Sequence, residues 1–411
     1  MKKFFTGAAI LLAGILNAQW DTLHTGTEIR FNAIAADDVM GIVTCGIGVT
    51  DSGSYGAIFA SQDGNIWNRI TPHAWDKNIE FRDMDYTPDG RVWVVGDSGH
   101  VRLQTIWFIT YDCIAKISPW ALQAGYAVDD SVFYCAGDHG VAYRTLDRGA
   151  TWDTLNTLTN ETIHDIYFAD VANGWIIGDG GVLKTTSDSG NTWTLVPTPQ
   201  FGFIDYKSFD YLDTMGLNPY VVGEAGLAQF SGDGGVSWFT IATGTGNTIN
   251  SIRFGTANAG IMAGDNGFIF RTDNGAWTWF ADPSHETEAD LFGVAYMNDT
   301  TAFICGDSGV VLRSRNDISA VHPHEAVSFA AGAYPNPTNG PLNLQLMLTN
   351  ESDLTIDVMD VTGQIVYSEY RENVGAGQSV LQLNMESLSG GMYFLRVSDG
   401  FSAVNIPIIR R

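Results

Sequence analysis

Two tetrapeptides in this 411-residue chain look like nucleophile motifs: Gly96-Asp97-Ser98-Gly99 and Gly306-Asp307-Ser308-Gly309. A serine so placed becomes a nucleophile only with a histidine base beside it and a carboxylate orienting that base. The same glycine–acid pair recurs at Gly137-Asp138, Gly178-Asp179, Gly223-Glu224 and Gly264-Asp265, where the serine's place is taken by His139, Gly180, Ala225 and Asn266. A position this variable is a turn position, and no catalytic residue is assigned. What the copies share is the acid: Asp97, Asp138, Asp179, Glu224, Asp265 and Asp307. Six such carboxylates on one side could form an acidic binding ring for Ca²⁺ or a basic partner, or each could cap its own Gly-rich hairpin turn. The spacing His322-x-His324 falls in a linker. No His/Asp cluster shows metal-ligand spacing, so no metal or cofactor is expected beyond that Ca²⁺.

These turns belong to a repeat. The first glycines of the six clear copies follow one another in steps of 41 to 45 residues, and Cys45-Gly46-Ile47-Gly48 is a weaker copy. A second signature, Ser/Thr-x-Asp-x-Gly-x-Thr/Ser-Trp, follows each glycine turn. It is complete around Asp147, Asp188 and Asp233 and imperfect around Asp63 and Asp273. A short apolar strand such as Ile163–Phe168 or Ile249–Phe254 precedes each turn. Each unit thus reads as four short antiparallel strands in about 40 residues, the pattern of a β-propeller blade. In the second signature the Asp accepts hydrogen bonds from its own turn, Gly takes positive φ and Trp packs between blades.

On these residues the second signature is identified as the Asp-box of sialidase-type (BNR) repeats. The unit over residues 20–315 resembles the BNR-like propellers of the photosystem II assembly and stability factor family. The resemblance implies a structural role for Asp63, Asp147, Asp188, Asp233 and Asp273, on the side away from the ligand face. Sialidase chemistry would need an arginine triad on a carboxylate plus a Tyr/Glu pair. Phe81-Arg82-Asp83 is the nearest fragment, and Lys+Arg total only 21. The family's association with a membrane-protein partner is not carried over, because a basic patch would be expected there and this chain is acidic.

Seven units are counted, and the last stops at Asn316-Asp317 without a Trp strand. Trp20-Asp21-Thr22-Leu23 matches Trp152-Asp153-Thr154-Leu155, the start of a fourth strand. Residues 20–25 are therefore expected to complete the last blade and close the ring. Closure would make Cys45 and Cys305 neighbours, either as small buried hydrophobes or as a bridge.

Lys2, Lys3 and the apolar run Ala8–Leu16 predict a signal peptide over residues 1–18. The propeller is placed at 19–315 and a linker at 316–333, with no transmembrane segment in the mature form. From Tyr334 the chain alternates like a small antiparallel sandwich. Tyr334-Pro335-Asn336-Pro337, Val361–Gly363 and Leu388-Ser389-Gly390-Gly391-Met392-Tyr393 resemble the type A C-terminal sorting domain of the type IX secretion system. That implies recognition of residues 334–411 by this machinery and export through the periplasm to the outside or the outer cell surface. The expected fold is all-β: a seven-bladed β-propeller closed by an N-terminal strand, then a small Ig-like β-sandwich.

A formal charge of −25 opposes binding to a phosphate backbone or anionic lipid. The expected function is non-catalytic binding of a protein or glycan. The alternatives are a glycosidase using ligand-face carboxylates and a structural or adhesive surface protein. Pro72-His73-Ala74-Trp75 and Phe201-Gly202-Phe203 could stack on sugars or peptides, or pack inward.

Overall fold

The structure, a computed structural model, describes residues 20–50, 53–70, 77–105, 111–198, 204–212, 218–236, 238–241, 243–273, 275–276, 279–282, 287–314, 329–334, 338–348, 351–360, 364–375, 377–385, 387–398 and 403–411. The expected signal peptide, the aromatic loops at 72–75 and 201–203, the His322-x-His324 spacing and the 335–337 and 361–363 parts of the sorting motifs lie outside these residues.

Over residues 20–314 the described chain forms seven four-stranded antiparallel sheets. The first holds Arg30–Asp37, Gly41–Thr50, Gly53–Ser61 and Asn68–Ile70. The second to sixth follow in sequence order from Phe81, Leu122, Ile163, Tyr206 and Ile249. The seventh runs from Leu291, and its fourth strand is Trp20–His24, paired antiparallel with Trp20 opposite Ser314 and His24 opposite Val310. The first strand of each sheet packs on those of both neighbours, and the seventh returns to the first. The sheets therefore close a ring with their first strands innermost.

Second strands such as Gly174–Gly178 are buried at every residue, because a neighbouring sheet covers each face. That explains their unbroken apolar runs. Aromatic pairs tie one sheet to the next: Trp93 stacks on Phe133 at 4.5 Å, Tyr134 on Phe168 at 3.5 Å and Trp175 on Phe209 at 5.4 Å.

The glycine turns are fixed by close backbone approach. The Asp179 amide donates to the Thr162 carbonyl at 2.9 Å, and a Cβ on Gly178 would lie 2.0 Å from that oxygen. The next position is left-handed whatever occupies it, with φ of 55° at Ser98, 61° at His139 and 53° at Ala225. The apparent nucleophile serines are thus left-handed turn residues.

At the far end of the third strand in five of the sheets the Asp-boxes hold their turns. Thr145 Oγ1 donates to Asp147 Oδ1 at 2.8 Å and accepts from the Gly149 amide at 2.8 Å. The Thr151 amide and hydroxyl donate to the same carboxylate at 2.8 and 2.6 Å. These bonds, from Thr151 first, hold the Asp147 carboxyl below its ordinary range. Asp188 repeats the arrangement with Thr186 and Thr192, and Asp233 accepts from Ser231 at 2.8 Å. Asp63 accepts from the Asn65 amide at 2.9 Å. Beside Asp273, Thr272 accepts from the Ala276 amide at 3.0 Å.

Cys45, Cys135 and Cys305 are buried, and each is a free thiol. Cys45 and Cys305 lie on the adjacent first and seventh sheets, and Cys305 Sγ contacts the Phe31 carbonyl at 3.7 Å.

Residues 329–410 form a three-stranded and a four-stranded antiparallel sheet. Leu342, Leu344 and Leu346 of one sheet meet Leu354, Ile356, Val358 and Leu395 of the other in a single core. Ala403–Arg410, which carries Pro407, is an edge strand of the larger sheet. Among the described residues no helix is long and apolar enough to cross a membrane.

Candidate binding site in the channel

Every innermost strand begins with the same irregularity. Register with the second strand slips near its start, between Phe81 and Asp83, Leu122 and Ala124, Ile163 and Asp165, and at the equivalent place in the other four sheets, the seventh slipping again between Tyr296 and Asn298. The residue left without a cross-strand partner is Asn32, Arg82, Gln123, His164, Lys207, Asn250 or Phe292. A bulge re-aims its extra side chain, and all seven line one cavity of about 510 Å³.

The acidic turn residues meet these side chains. Arg82 Nε donates to Asp97 at 2.8 Å, Gln123 Nε2 to Asp138 at 2.7 Å and Asn250 Nδ2 to Asp265 at 2.8 Å. His164 Nε2 lies 2.5 Å from Asp179, and Lys207 Nζ lies 3.9 Å from Glu224. In the seventh sheet Phe292 has no polar atom to offer. Arg30 replaces it, stacking over the Phe292 ring at 4.4 Å and pairing with Asp307 at 3.6 Å. The residue before each of the six acids is a glycine with no side chain to cap the turn, and two turns are held by carboxylates from the approach to the next sheet: the Gly180 amide donates to Asp205 at 2.8 Å and the Asn266 amide to Asp290 at 2.9 Å. The carboxylates contact the bulge residues, and the mouth is a polar ring in which Arg82, Lys207 and Arg30 face acids as cations while Gln123 and Asn250 meet theirs as neutral amides. Among the described residues no three His, Cys, Asp or Glu side chains gather so as to hold a metal ion, so the Ca²⁺ expectation finds no ligand set there.

The densest part of the mouth joins the fourth and fifth sheets. Lys207 Nζ is 3.1 Å from His164 Nε2, 3.6 Å from Asp179 and 3.7 Å from Asp205. The His164 hydrogen bond, followed by the His164 and Lys207 charges, holds the Asp179 carboxyl down to about 2 against the opposing effect of burial.

Below the mouth Asp83, Asp85, Asp165 and Asp210 face the cavity with Arg253. Each acid also staples two sheets. Asp83 accepts from the Gly125 amide at 2.8 Å and Asp85 from Ala127 at 2.9 Å. Asp165 accepts from Phe209 at 2.9 Å and Asp210 from Phe254 at 2.7 Å. Arg253 Nη1 donates to the Phe209 and Ile252 carbonyls at 3.1 and 2.8 Å and lies 4.0 Å from Asp165. Its side chain is 40% accessible because it borders the cavity, deep inside the ring. Burial works against its charge, and the carboxylates of Asp165, Asp210, Asp83 and Asp85 outweigh that effect, so its pKa is raised. Burial raises the acids too: Asp83 to about 7, Asp85 and Asp210 to about 6, and Asp165 upward.

Sequence reasoning singled out the turn acids but missed the bulge residues and the deep acids. The available signal was a pair of consecutive polar residues breaking strand alternation, as in Phe81-Arg82-Asp83 and Ile163-His164-Asp165.

The profile of a family described as Photosynthesis system II assembly factor YCF48 matches residues 145–284. That of the Secretion system C-terminal sorting domain matches residues 332–409. No curated protein sequence matches the chain. Among solved structures, YCF48 from Cyanidioschyzon merolae is similar with a TM-score of 0.59 at 16% identity, covering 72% of this chain and 99% of that one. A structure titled YCF48 bound to D1 peptide gives 0.60 at 15% identity, covering 72% and 97%. The WD40 repeats of RRP9 give 0.60 at 7% identity, covering 72% and 98%. The ring is thus a β-propeller of BNR-type repeats similar to the YCF48 fold, and the C-terminal sheets are a type IX secretion system sorting domain.

Proposed function

We propose that this protein is a non-catalytic binding module: a seven-bladed propeller exported by the type IX system to the cell surface or beyond, which holds a protein ligand at its channel mouth. In this reading residues 1–18 are a signal peptide, 19–315 the propeller, 316–333 a linker and 334–411 an Ig-like sorting sandwich. The Asp-boxes are structural, and the turn acids form the mouth by orienting the bulge residues. The observation that carries the reading is the set of seven bulges, which bring one side chain from every sheet to one cavity. Their polar heads, held by carboxylates, suit peptide backbone and charged side chains. The peptide-bound relative adds support.

The test is peptide display against the mature chain, run beside a glycan array and chromogenic glycosides. Enriched peptides that lose binding in Arg82→Ala and Lys207→Ala uphold the reading. Glycoside turnover, or glycan binding without peptide binding, overturns it.

A further inference from the structure

The third sheet sets two rings against each other at the rim of the mouth. Trp120 lies three residues before the bulge residue Gln123, and His139 follows Asp138, the acid that accepts from Gln123 at 2.7 Å. Indole and imidazole stack with centroids 3.7 Å apart and planes 21° apart. Both residues are exposed, and Trp120, 43% accessible, is the one tryptophan so placed among the described residues. Its backbone is fixed on both sides. The Trp120 amide donates to Ser118 Oγ at 3.0 Å, the Ile117 amide donates to the Gly99 carbonyl at 2.9 Å, and Leu122 is fully buried.

The fold does not require this stack. The other five turns place Ser98, Gly180, Ala225, Asn266 and Ser308 at the left-handed position that His139 occupies. Ile29 and Ile79, which stand where Trp120 does in the first and second sheets, are buried. With one indole face against the imidazole, the accessible area of Trp120 is its other face and its edge.

Beside the stack lies a cation without a partner. Lys116 ends the outer strand Tyr111–Lys116 of the second sheet and lines an open hollow with Ile117, Ser118 and Pro119, the residue next to Trp120. Arg30, Arg82 and Lys207 at the mouth all face acids. Lys116 is exposed, and its side chain makes no ion pair or hydrogen bond among the described residues. In a chain of formal charge −25, an unpaired ammonium beside an open ring reverses the local sign. The ring offers its face to another ring and the ammonium its charge to a carboxylate.

We propose that the third-sheet rim anchors one pair of side chains from a protein partner: an aromatic residue that stacks on the open face of Trp120, and a neighbouring carboxylate that meets Lys116. The inference rests on the reading of the mouth as a protein-binding end and names the chemistry that end selects. His139 backs the indole and holds it in one orientation before the partner arrives, which lowers the ordering cost of binding.

The test follows the fluorescence anisotropy of three labelled dodecapeptides added to the mature chain. One is acidic with a central phenylalanine, one has alanine in place of that phenylalanine, and one has lysines in place of the acids. Wild type is compared with Trp120→Ala, Trp120→Phe, Lys116→Ala and Val39→Ala, the last at an exposed side chain away from the mouth. Every substituted side chain is exposed, and thermal melts confirm folding. The acidic phenylalanine peptide should bind best. Trp120→Ala should weaken it about tenfold and Trp120→Phe by less than about threefold. Lys116→Ala should weaken it about threefold at low salt, with the difference fading at high salt. Val39→Ala should leave it unchanged. Equal affinities for the three peptides, or wild-type affinity in Trp120→Ala, overturn the proposal. Glycan binding that Trp120→Ala abolishes, without peptide binding, assigns the stack to a sugar and also overturns it. Display-selected peptides that need Arg82 and Lys207 but not Trp120 overturn this inference and leave the binding-module reading standing. A chain that binds no peptide at all overturns both.

Discussion

Replacing Trp20 by alanine tests ring closure at its one non-local joint. Trp20 is 7% exposed in the strand that completes the seventh sheet. Its indole packs in a cluster with Ile261 and Ile269 of the sixth sheet and Ile304 and Leu312 of the seventh. Its Nε1 donates to Asp282 at 3.2 Å. Truncating a buried tryptophan costs about 3–5 kcal/mol from lost transfer energy and the cavity left behind. Asp282, whose side chain is 1% exposed, keeps Arg271 at 3.1 Å, so the lost indole bond adds about 1 kcal/mol at most. Trp20→Phe, which retains most of the ring, should cost about 1–2 kcal/mol. Val39→Ala is the control, because that side chain is 74% exposed and its loss should change stability by less than about 0.5 kcal/mol. Urea unfolding of the mature chain, followed by tryptophan fluorescence, gives the differences in midpoint. If Trp20→Ala unfolds within 1 kcal/mol of wild type, the N-terminal strand does not close the ring and the reasoning fails.

Four further outcomes are expected. Because Asp83, Asp85 and Asp210 are raised to about 7, 6 and 6, the folded state binds protons more tightly than the unfolded one. Stability from this cluster is therefore full below about pH 4 and falls as pH rises to 7. Asp83 alone accounts for about 4 kcal/mol at most, and urea midpoints of Asp83→Asn should flatten over that window. Asp179, held down to about 2, has the opposite sign: its contribution is present above pH 4 and lost as pH falls through 2, so His164→Ala should lower stability above pH 4 and flatten its fall between pH 4 and 2. Gly178→Ala places a Cβ 2.0 Å from the Thr162 carbonyl and should cost about 3 kcal/mol. Thr145→Val, which removes the hydroxyl bonded to both Asp147 and Gly149, should cost about 1–2 kcal/mol. Thermal melts check both.

The sequence made the period visible because each unit repeats constraints that only particular residues satisfy. Gly178 and its equivalents must lie against a carbonyl, and Thr145, Asp147 and Gly149 close one turn through each other's hydrogen bonds. The match of Trp20–Leu23 to Trp152–Leu155 showed which strand those residues would complete. The site was less legible. A bulge is a property of register between two strands, and alternation alone does not show that Arg82 or His164 is the extra residue. The deep acids come from the second, fourth and fifth sheets and Arg253 from the sixth, so their meeting depends on ring geometry and not on spacing. The turn acids were visible, but their partners were not. The sequence left them as either an acidic ring or caps of their own turns, and in the structure they contact the bulge side chains.

The central claim is that the bulge end of the channel is where this propeller binds its ligand. Hydrogen–deuterium exchange on the mature chain, with and without a display-selected peptide, tests it most directly. Protection should concentrate at the glycine–acid turns and bulge residues, around 80–83, 97–99, 121–124, 162–165, 179–181 and 205–208. Protection concentrated instead at the Asp-box turns, around 145–152, 186–193 and 231–236, would place the ligand at the opposite end and contradict the account.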